Sequence, residues 1–186
     1  MLVRMAAPFG DDELFEFCRR NKGLRVERTP EGDLVIMPPA GGETGRRNST
    51  VNLQLALWAQ QDRTGISFDS STGFILQNGA ERSPDAAWVR KARWQALSPE
   101  DRERFPPLCP DFVIELRSPS DDLEELVAKM REYLDSGASL GLLLDPFERT
   151  VRVFRPGASP QKLDDPEEVH CDPELPGFVL DVRSIW

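Results

Sequence analysis

The stretch Pro110–Tyr133, PDFVIELRSPSDDLEELVAKMREY, constrains the fold more than any other because its periodicity changes part-way along. From Asp111 to Arg117 the residues alternate, with Asp111, Val113, Glu115 and Arg117 on one face and Phe112, Ile114 and Leu116 on the other. One face is wholly apolar and the other is charged. Ser118-Pro119-Ser120 breaks the strand, and Ser120 is expected to cap a helix whose positive end Asp121 and Asp122 favour. Leu123, Leu126, Val127, Met130 and Leu134 then recur at helical spacing, and Gly137 stops the run. Lys129 falls at the border of that stripe, beside Asp122 and Tyr133. Its stem can lie along the core while its ammonium reaches back to the strand's charged face.

Acids on a strand with a lysine nearby suit phosphodiester chemistry. Carboxylates are hard oxygen ligands for Mg²⁺ or Mn²⁺, and a lysine beside the metal can orient water or offset phosphate charge. One more acid is needed from a neighbouring strand, and Asp85 in Ser83–Val89 is the candidate. Glu115 lies between Ile114 and Leu116, so its carboxylate needs a metal, a cation or hydrogen bonds; Arg117, two residues on, is the ordinary partner. Arginine stays protonated, so Arg117 can clamp a phosphate but cannot act as a base. Lys129 has its own ordinary partner in Glu125, four residues before it. Only 4 of the 23 basic residues are lysine, which makes a lysine at that place less expected. Asp111 either binds a second metal or holds an arginine. Tyr133, the only tyrosine, either steadies Lys129, touches phosphate or packs in the core.

Pro84-Asp85, then Glu115 and a lysine further on, resemble the PD-(D/E)XK nuclease superfamily. The surrounding text resembles its Uma-type branch of bacterial endonucleases. That pattern is carried by Ser83-Pro84-Asp85, Pro110–Ser120, Lys129–Tyr133, Ser136-Gly137 and Leu142–Pro146, with Gly32–Pro39 and Leu175–Asp181 resembling the opening hairpin and the closing LPGF segment. The resemblance implies an α/β (α+β) restriction-endonuclease-like fold, a mixed β-sheet flanked by helices with an N-terminal helix and β-hairpin, in one domain over residues 1–186. It implies a metal-dependent endonuclease that hydrolyses DNA phosphodiester bonds by metal-activated water. Asp85, Glu115 and the Leu116 backbone carbonyl would hold Mg²⁺ or Mn²⁺. Lys129, drawn from the following helix, would orient or activate the water, and Arg117 would steady the phosphate. Glu43 would match an acid that such nucleases carry on an early helix near the metal, although a carboxylate also favours a helix N-terminus for its own sake; Glu27 is a weaker candidate of the same sort. A homodimer is implied too. The alternatives are a catalytically inactive nuclease-fold binding or regulatory module, suggested by the displaced lysine and the acidic chain, and a hydrolase of another phosphate ester.

The rest of the chain bounds these readings. With 186 residues, 39% hydrophobic and 30% charged, it can bury a sizeable core. Its net charge of −9 argues against a general nucleic-acid binder, offset locally by Arg46-Arg47, Arg82, Arg90, Lys91 and Arg93. Apolar runs fall short of a membrane span, the N-terminus does not read as a signal peptide, and three cysteines lack metal spacing, so a reduced cytoplasmic protein is expected. His170 lies in an expected loop away from any nucleophile pattern, and no P-loop, dinucleotide fingerprint or zinc cluster occurs. A helix from Asp11 or Asp12 to Arg20, a hairpin of Leu24–Arg28 and Asp33–Met37, and a helix over Gly45–Asp62 are expected, followed by strands over Gly65–Phe68 and Gly73–Leu76 meeting at Asp69–Thr72 and a strand over Asp85–Val89. Leu53 and Leu57 oppose the Val51, Leu55 and Trp58 face of the second helix, which suits a partner subunit. The polar excursion Lys91–Phe105, with Ser98 capping a short helix, is a candidate wall of the substrate groove. Strands over Leu140–Leu144 and Thr150–Phe154, a loop over Gly157–Pro166 and a last strand within Gly177–Trp186 complete the reading.

Overall fold

The computed structural model describes residues 1–186. In chain order the elements are β1 (Leu2–Val3), α1 (Asp11–Arg20), β2 (Arg25–Arg28), β3 (Leu34–Met37), α2 (Gly42–Asp62), β4 (Gly65–Asp69), β5 (Phe74–Ile75), β6 (Glu81–Arg82), β7 (Ala86–Arg90), α3 (Lys91–Ala96), α4 (Pro99–Glu103), β8 (Phe112–Leu116), α5 (Leu123–Asp135), β9 (Leu140–Asp145), β10 (Thr150–Phe154), β11 (Gln161–Asp164), β12 (Glu168–His170) and β13 (Val179–Asp181).

A six-stranded mixed sheet forms the centre, in the order β11-β10-β9-β8-β7-β4. Only β8 and β9 run parallel, and α5 is the crossover that parallel neighbours require. The alternation read in the sequence decides which helix each side of β8 meets. Phe112, Ile114 and Leu116 pack with Val51, Leu55 and Ala59 of α2, whereas Val113 packs with Met130 and Tyr133 of α5. Every residue of β8 is therefore buried. A second, antiparallel sheet, β1-β3-β2-β6-β5, carries the N-terminal hairpin. Leu14 of α1 closes its core against Val26 and Leu34.

Several expectations are corrected. Ser120 is not the cap of α5. Asp121 instead closes the Ser118 turn, accepting its N–H at 2.7 Å, and the helix starts two residues later, where Asp122 accepts from the N–H groups of Glu124 and Glu125. The strands β4 and β5 do not pair with each other; β4 joins β7 and β5 joins β6, in different sheets. The excursion Lys91–Phe105 holds α3 as well as α4, and its Trp94 packs at a tilt against Phe68 of the edge strand, with ring centroids 5.1 Å apart. It lines no part of the cleft described below. His170 belongs to β12 rather than a loop, and the expected loop over Gly157–Pro166 contains β11. Ser98 does cap α4, accepting from the Asp101 N–H at 3.0 Å.

Candidate functional site

The register of β7 against β8 creates the site. Ala86 faces Ile114 and Trp88 faces Phe112, so Asp85, just ahead of β7, arrives at the end of β8 that carries Glu115 and Leu116. The Leu116 N–H donates to Asp85 Oδ2 at 2.9 Å. Two side chains of α2 hold the acid from the other side. Asn48 Nδ2 donates to Asp85 Oδ1 at 2.8 Å, and Asn52 Nδ2 bonds both Asn48 Oδ1 at 2.6 Å and the Asp85 carbonyl at 2.8 Å.

Glu115 projects toward α5. Its Oε1 accepts the Tyr133 hydroxyl at 2.9 Å and lies 2.8 Å from Lys129 Nζ; Lys129 and Tyr133, four apart, meet one carboxylate because they share a helix face. The second oxygen of Glu115 receives no hydrogen bond from the chain and is not sealed from solvent. Lys129 also reaches across to the hairpin, 2.9 Å from Glu27 Oε1. Glu27 accepts in addition from the Ser83 N–H at 3.0 Å and pairs with Arg82 at 3.3 Å, and Arg82 pairs with Glu132 at 2.6 Å. Two carboxylates thus share one lysine.

Burial dominates the electrostatics. It pushes Glu115 up to about 7, with Asp85 and Glu27 adding repulsion and Lys129 opposing. Asp85 is also raised by burial, partly offset by the Leu116 N–H, Arg25 and Lys129. For Glu27 the burial effect is overcome by Lys129 and Arg82, and the acid stays below its usual range. Burial works against the Lys129 charge too, but Glu115 and Glu27 outweigh it and hold the proton more tightly than in a free lysine. Burial and Glu115 keep Tyr133 protonated.

Asp85, Glu115 and Lys129 open into a cleft of about 660 Å³. Its walls are the Met37–Thr44 segment leading into α2, the Ser118–Asp121 turn, and Arg25. No side chain caps α2 at Gly41, and Glu43 is the one acid in its first turn, so the helix's positive pole faces that end of the cleft partly offset by Glu43.

The sequence-derived candidates divide. Asp85, Glu115, Leu116, Lys129 and Glu43 line the cleft, and Tyr133 lies directly beneath it against Glu115. Glu43 stands at the rim, more than half exposed and paired with Arg46 at 2.6 Å. Arg117 does not enter. The Leu116–Leu144 register sets it beside the end of β9, where it pairs with Asp145 at 2.7 Å and lies over the Phe147 ring; it is not the partner of Glu115. Asp111 sits at the opposite end of β8, accepting the Arg90 N–H at 2.9 Å and pairing with Arg93 at 3.1 Å. It holds arginines there, and these basic groups are spent at the far end of the sheet. Glu125 does not pair with Lys129; Glu115 and Glu27 do. The residues that sequence reasoning missed are Asn48, Asn52 and, in its full weight, Glu27. The two asparagines, four apart on a helix face that continues as Leu55 and Ala59, were the available signal.

A family model described as Uma2, "Putative restriction endonuclease", matches residues 11–183. The chain belongs to the Uma2 family. Its fold is similar to a crystal structure titled "a putative nuclease belonging to DUF820" from Anabaena variabilis, with a TM-score of 0.76 at 21% identity over 96% of this chain and 97% of that one. None of the curated proteins matches the chain. This Uma2 chain therefore has the restriction-endonuclease-like architecture that its motif order implied, a mixed sheet flanked by helices with an N-terminal helix and hairpin.

Proposed function

We propose that this chain is a DNA endonuclease of one domain, dependent on a divalent cation and working in the cytoplasm. The observation that carries the reading is the convergence of Asp85, just ahead of β7, Glu115 of β8 and Lys129 of α5 at one open cleft. Family membership supports it.

The donors suit a hard cation. Asp85 and Glu115 are carboxylates raised by burial, so an added positive charge is what they lack, and one Glu115 oxygen is without a protein partner. No three His, Cys, Asp or Glu side chains form a ready-made cage. Asp85, Glu115 and the Leu116 carbonyl would hold Mg²⁺ or Mn²⁺, and water and substrate would supply the remaining ligands, as Mg²⁺ commonly has it. When bound, the cation would neutralise phosphate charge and make water a better nucleophile. Lys129 keeps its proton, so its role is to position the attacking water and offset charge rather than to act as a base. Tyr133 and Glu27 fix its direction. Asn48 and Asn52 fix that of Asp85.

The test is cleavage of plasmid, linear duplex and single-stranded DNA with Mg²⁺ or Mn²⁺ by wild type, Asp85→Asn and Glu115→Gln. Cleavage lost in both variants supports the proposal. A panel that wild type leaves intact, nucleotides and other phosphate esters included, favours the inactive binding module. One observation favours that second reading, namely that Lys129 is already satisfied within the chain by Glu27 and Glu115.

A further inference from the structure

The two cations that line the cleft, Arg25 and Lys129, are in opposite states. Lys129 is saturated by carboxylates. Arg25 makes a single hydrogen bond within the chain, from Nη2 to the Ser83 carbonyl at 2.8 Å. Its closest carboxylate oxygen, Asp85 Oδ1, is 3.7 Å away, beyond hydrogen-bond range. Its Nε is sealed from solvent with no partner at all. A guanidinium has five N–H donors in a fixed fork, so most of this one's capacity is unused, although about a third of the side chain remains open.

Its position gives that capacity a use. A second groove of about 650 Å³, lined by Gly45, Asn48, Asn52, Asp69 and Ser70 among others, adjoins the cleft, and Arg25 is the only cation in it. Arg25, Ala40 and Asn48 line both depressions, so the guanidinium borders the passage from one to the other. The other arginines near the cleft are committed: Arg46 and Arg47 to Glu43 and the C-terminal carbonyls, Arg82 to Glu27 and Glu132, and Arg117 to Asp145.

We propose that Arg25 binds a phosphate of the substrate strand next to the one at Asp85 and Glu115, directing that strand from the cleft into the second groove. The assignment rests on the nuclease reading and gives Arg25 the phosphate-clamping role expected of Arg117, whose guanidinium is held by Asp145. Planar bidentate recognition of phosphate is what arginine does better than lysine.

The experiment is fluorescence anisotropy with labelled single-stranded and duplex oligonucleotides, with Ca²⁺ replacing Mg²⁺ to hold back turnover, across a salt series. Full-length wild type, Arg25→Gln and Arg25→Lys are compared, and Mn²⁺ binding and thermal melting are measured on each. Arg25→Gln is expected to weaken binding about tenfold and to flatten the dependence of log Kd on log salt by about 0.9 on duplex or 0.7 on single strands, the release of roughly one counterion. Arg25→Lys should keep the salt slope and lose part of the affinity, and both variants should melt as folded proteins and bind Mn²⁺ no more weakly than wild type, since Arg25→Gln takes a cation away from Asp85. Wild-type binding with an unaltered affinity and slope in Arg25→Gln overturns the assignment while leaving the nuclease reading intact. Loss of Mn²⁺ binding in Arg25→Gln also overturns it, because Arg25 would then act through Asp85. A wild type that binds neither oligonucleotide removes the nuclease reading, and this inference with it.

Discussion

At the scale of single residues, the site depends on Lys129 being shared. Its ammonium meets Glu115, Glu27 and the Tyr133 ring together, and the three side chains come from α5, β8 and β2. Removing one partner of such a buried group leaves the others uncompensated, which usually costs more than the pair contributes. Lys129→Met should therefore lower stability at neutral pH by about 3 kcal/mol, measured by urea unfolding. The loss should shrink as pH falls, because without the ammonium Glu27 and Glu115 can be relieved by protonation. An unfolding midpoint unchanged at neutral pH would mean that the acids do not need the lysine. Much of this was legible. The alternation of β8 placed Glu115 on the α5 side, and helical spacing put Lys129 at the border of the apolar stripe. Glu27 was not legible at its full weight because its link to Lys129 spans 102 residues, and no local pattern encodes such a contact. Arg117 misled for a related reason. It shares a strand face with Glu115, but the parallel neighbour β9 ends in Asp145, and that pairing is visible only once the register is known.

At the scale of elements, long periodic segments read clearly and short ones did not. The helices α1, α2 and α5 and the strands β8, β9 and β10 carry enough residues to show a period. The strands β1 and β6 have two residues each, and β11 and β12 are polar and mostly exposed, so tertiary pairing alone makes them strands. The short strand β6 nevertheless carries Glu81, fully buried with Oε2 unpartnered and only Ser83 Oγ, at 3.3 Å, against Oε1. Gly73 is part of that arrangement, since a Cβ there would stand 2.0 Å from Glu81 Oε1. Burial, with repulsion from Glu27, pushes Glu81 up to about 8. In the unfolded chain the same acid ionises in the usual carboxylate range. Between those values the folded state holds a proton that the unfolded state has released, so stability falls as pH rises. Glu81→Gln removes the titration. Wild type and variant should be equally stable near about pH 5, and the variant should be more stable by on the order of 2 kcal/mol at about pH 9. Parallel stability curves across that range would contradict the assignment of a buried neutral carboxyl.

At the scale of the whole molecule, the net charge of −9 and a DNA substrate pull in opposite directions. The structure shows where several cations go: Arg82, Arg90, Arg93 and Arg117 are tied to carboxylates, and of the two cations lining the cleft Arg25 is the one with no hydrogen-bonded carboxylate. No helix is long and apolar enough to cross a membrane. The outer face of α2 exposes Leu53 and Leu57 by 59% and 51%, beside the edge strand β4. An apolar patch next to an unpaired sheet edge is a natural contact for a second copy, and we propose that the enzyme is a homodimer there. Sedimentation should give twice the chain mass for wild type and the single-chain mass for Leu53→Asp/Leu57→Asp, with melting little altered. A wild type that sediments as one chain at all concentrations would exclude that dimer.

The central claim is that Asp85 and Glu115 together hold a divalent cation, and calorimetric titration with Mn²⁺ reads it most directly. Wild type should bind with measurable heat, in the presence of a short DNA if not alone. The Asp85→Ala/Glu115→Ala variant, folded by its melting transition, should show none under either condition. Equal heats in the two proteins would place the cation elsewhere, and no heat in wild type even with DNA present would contradict a metal-dependent nuclease.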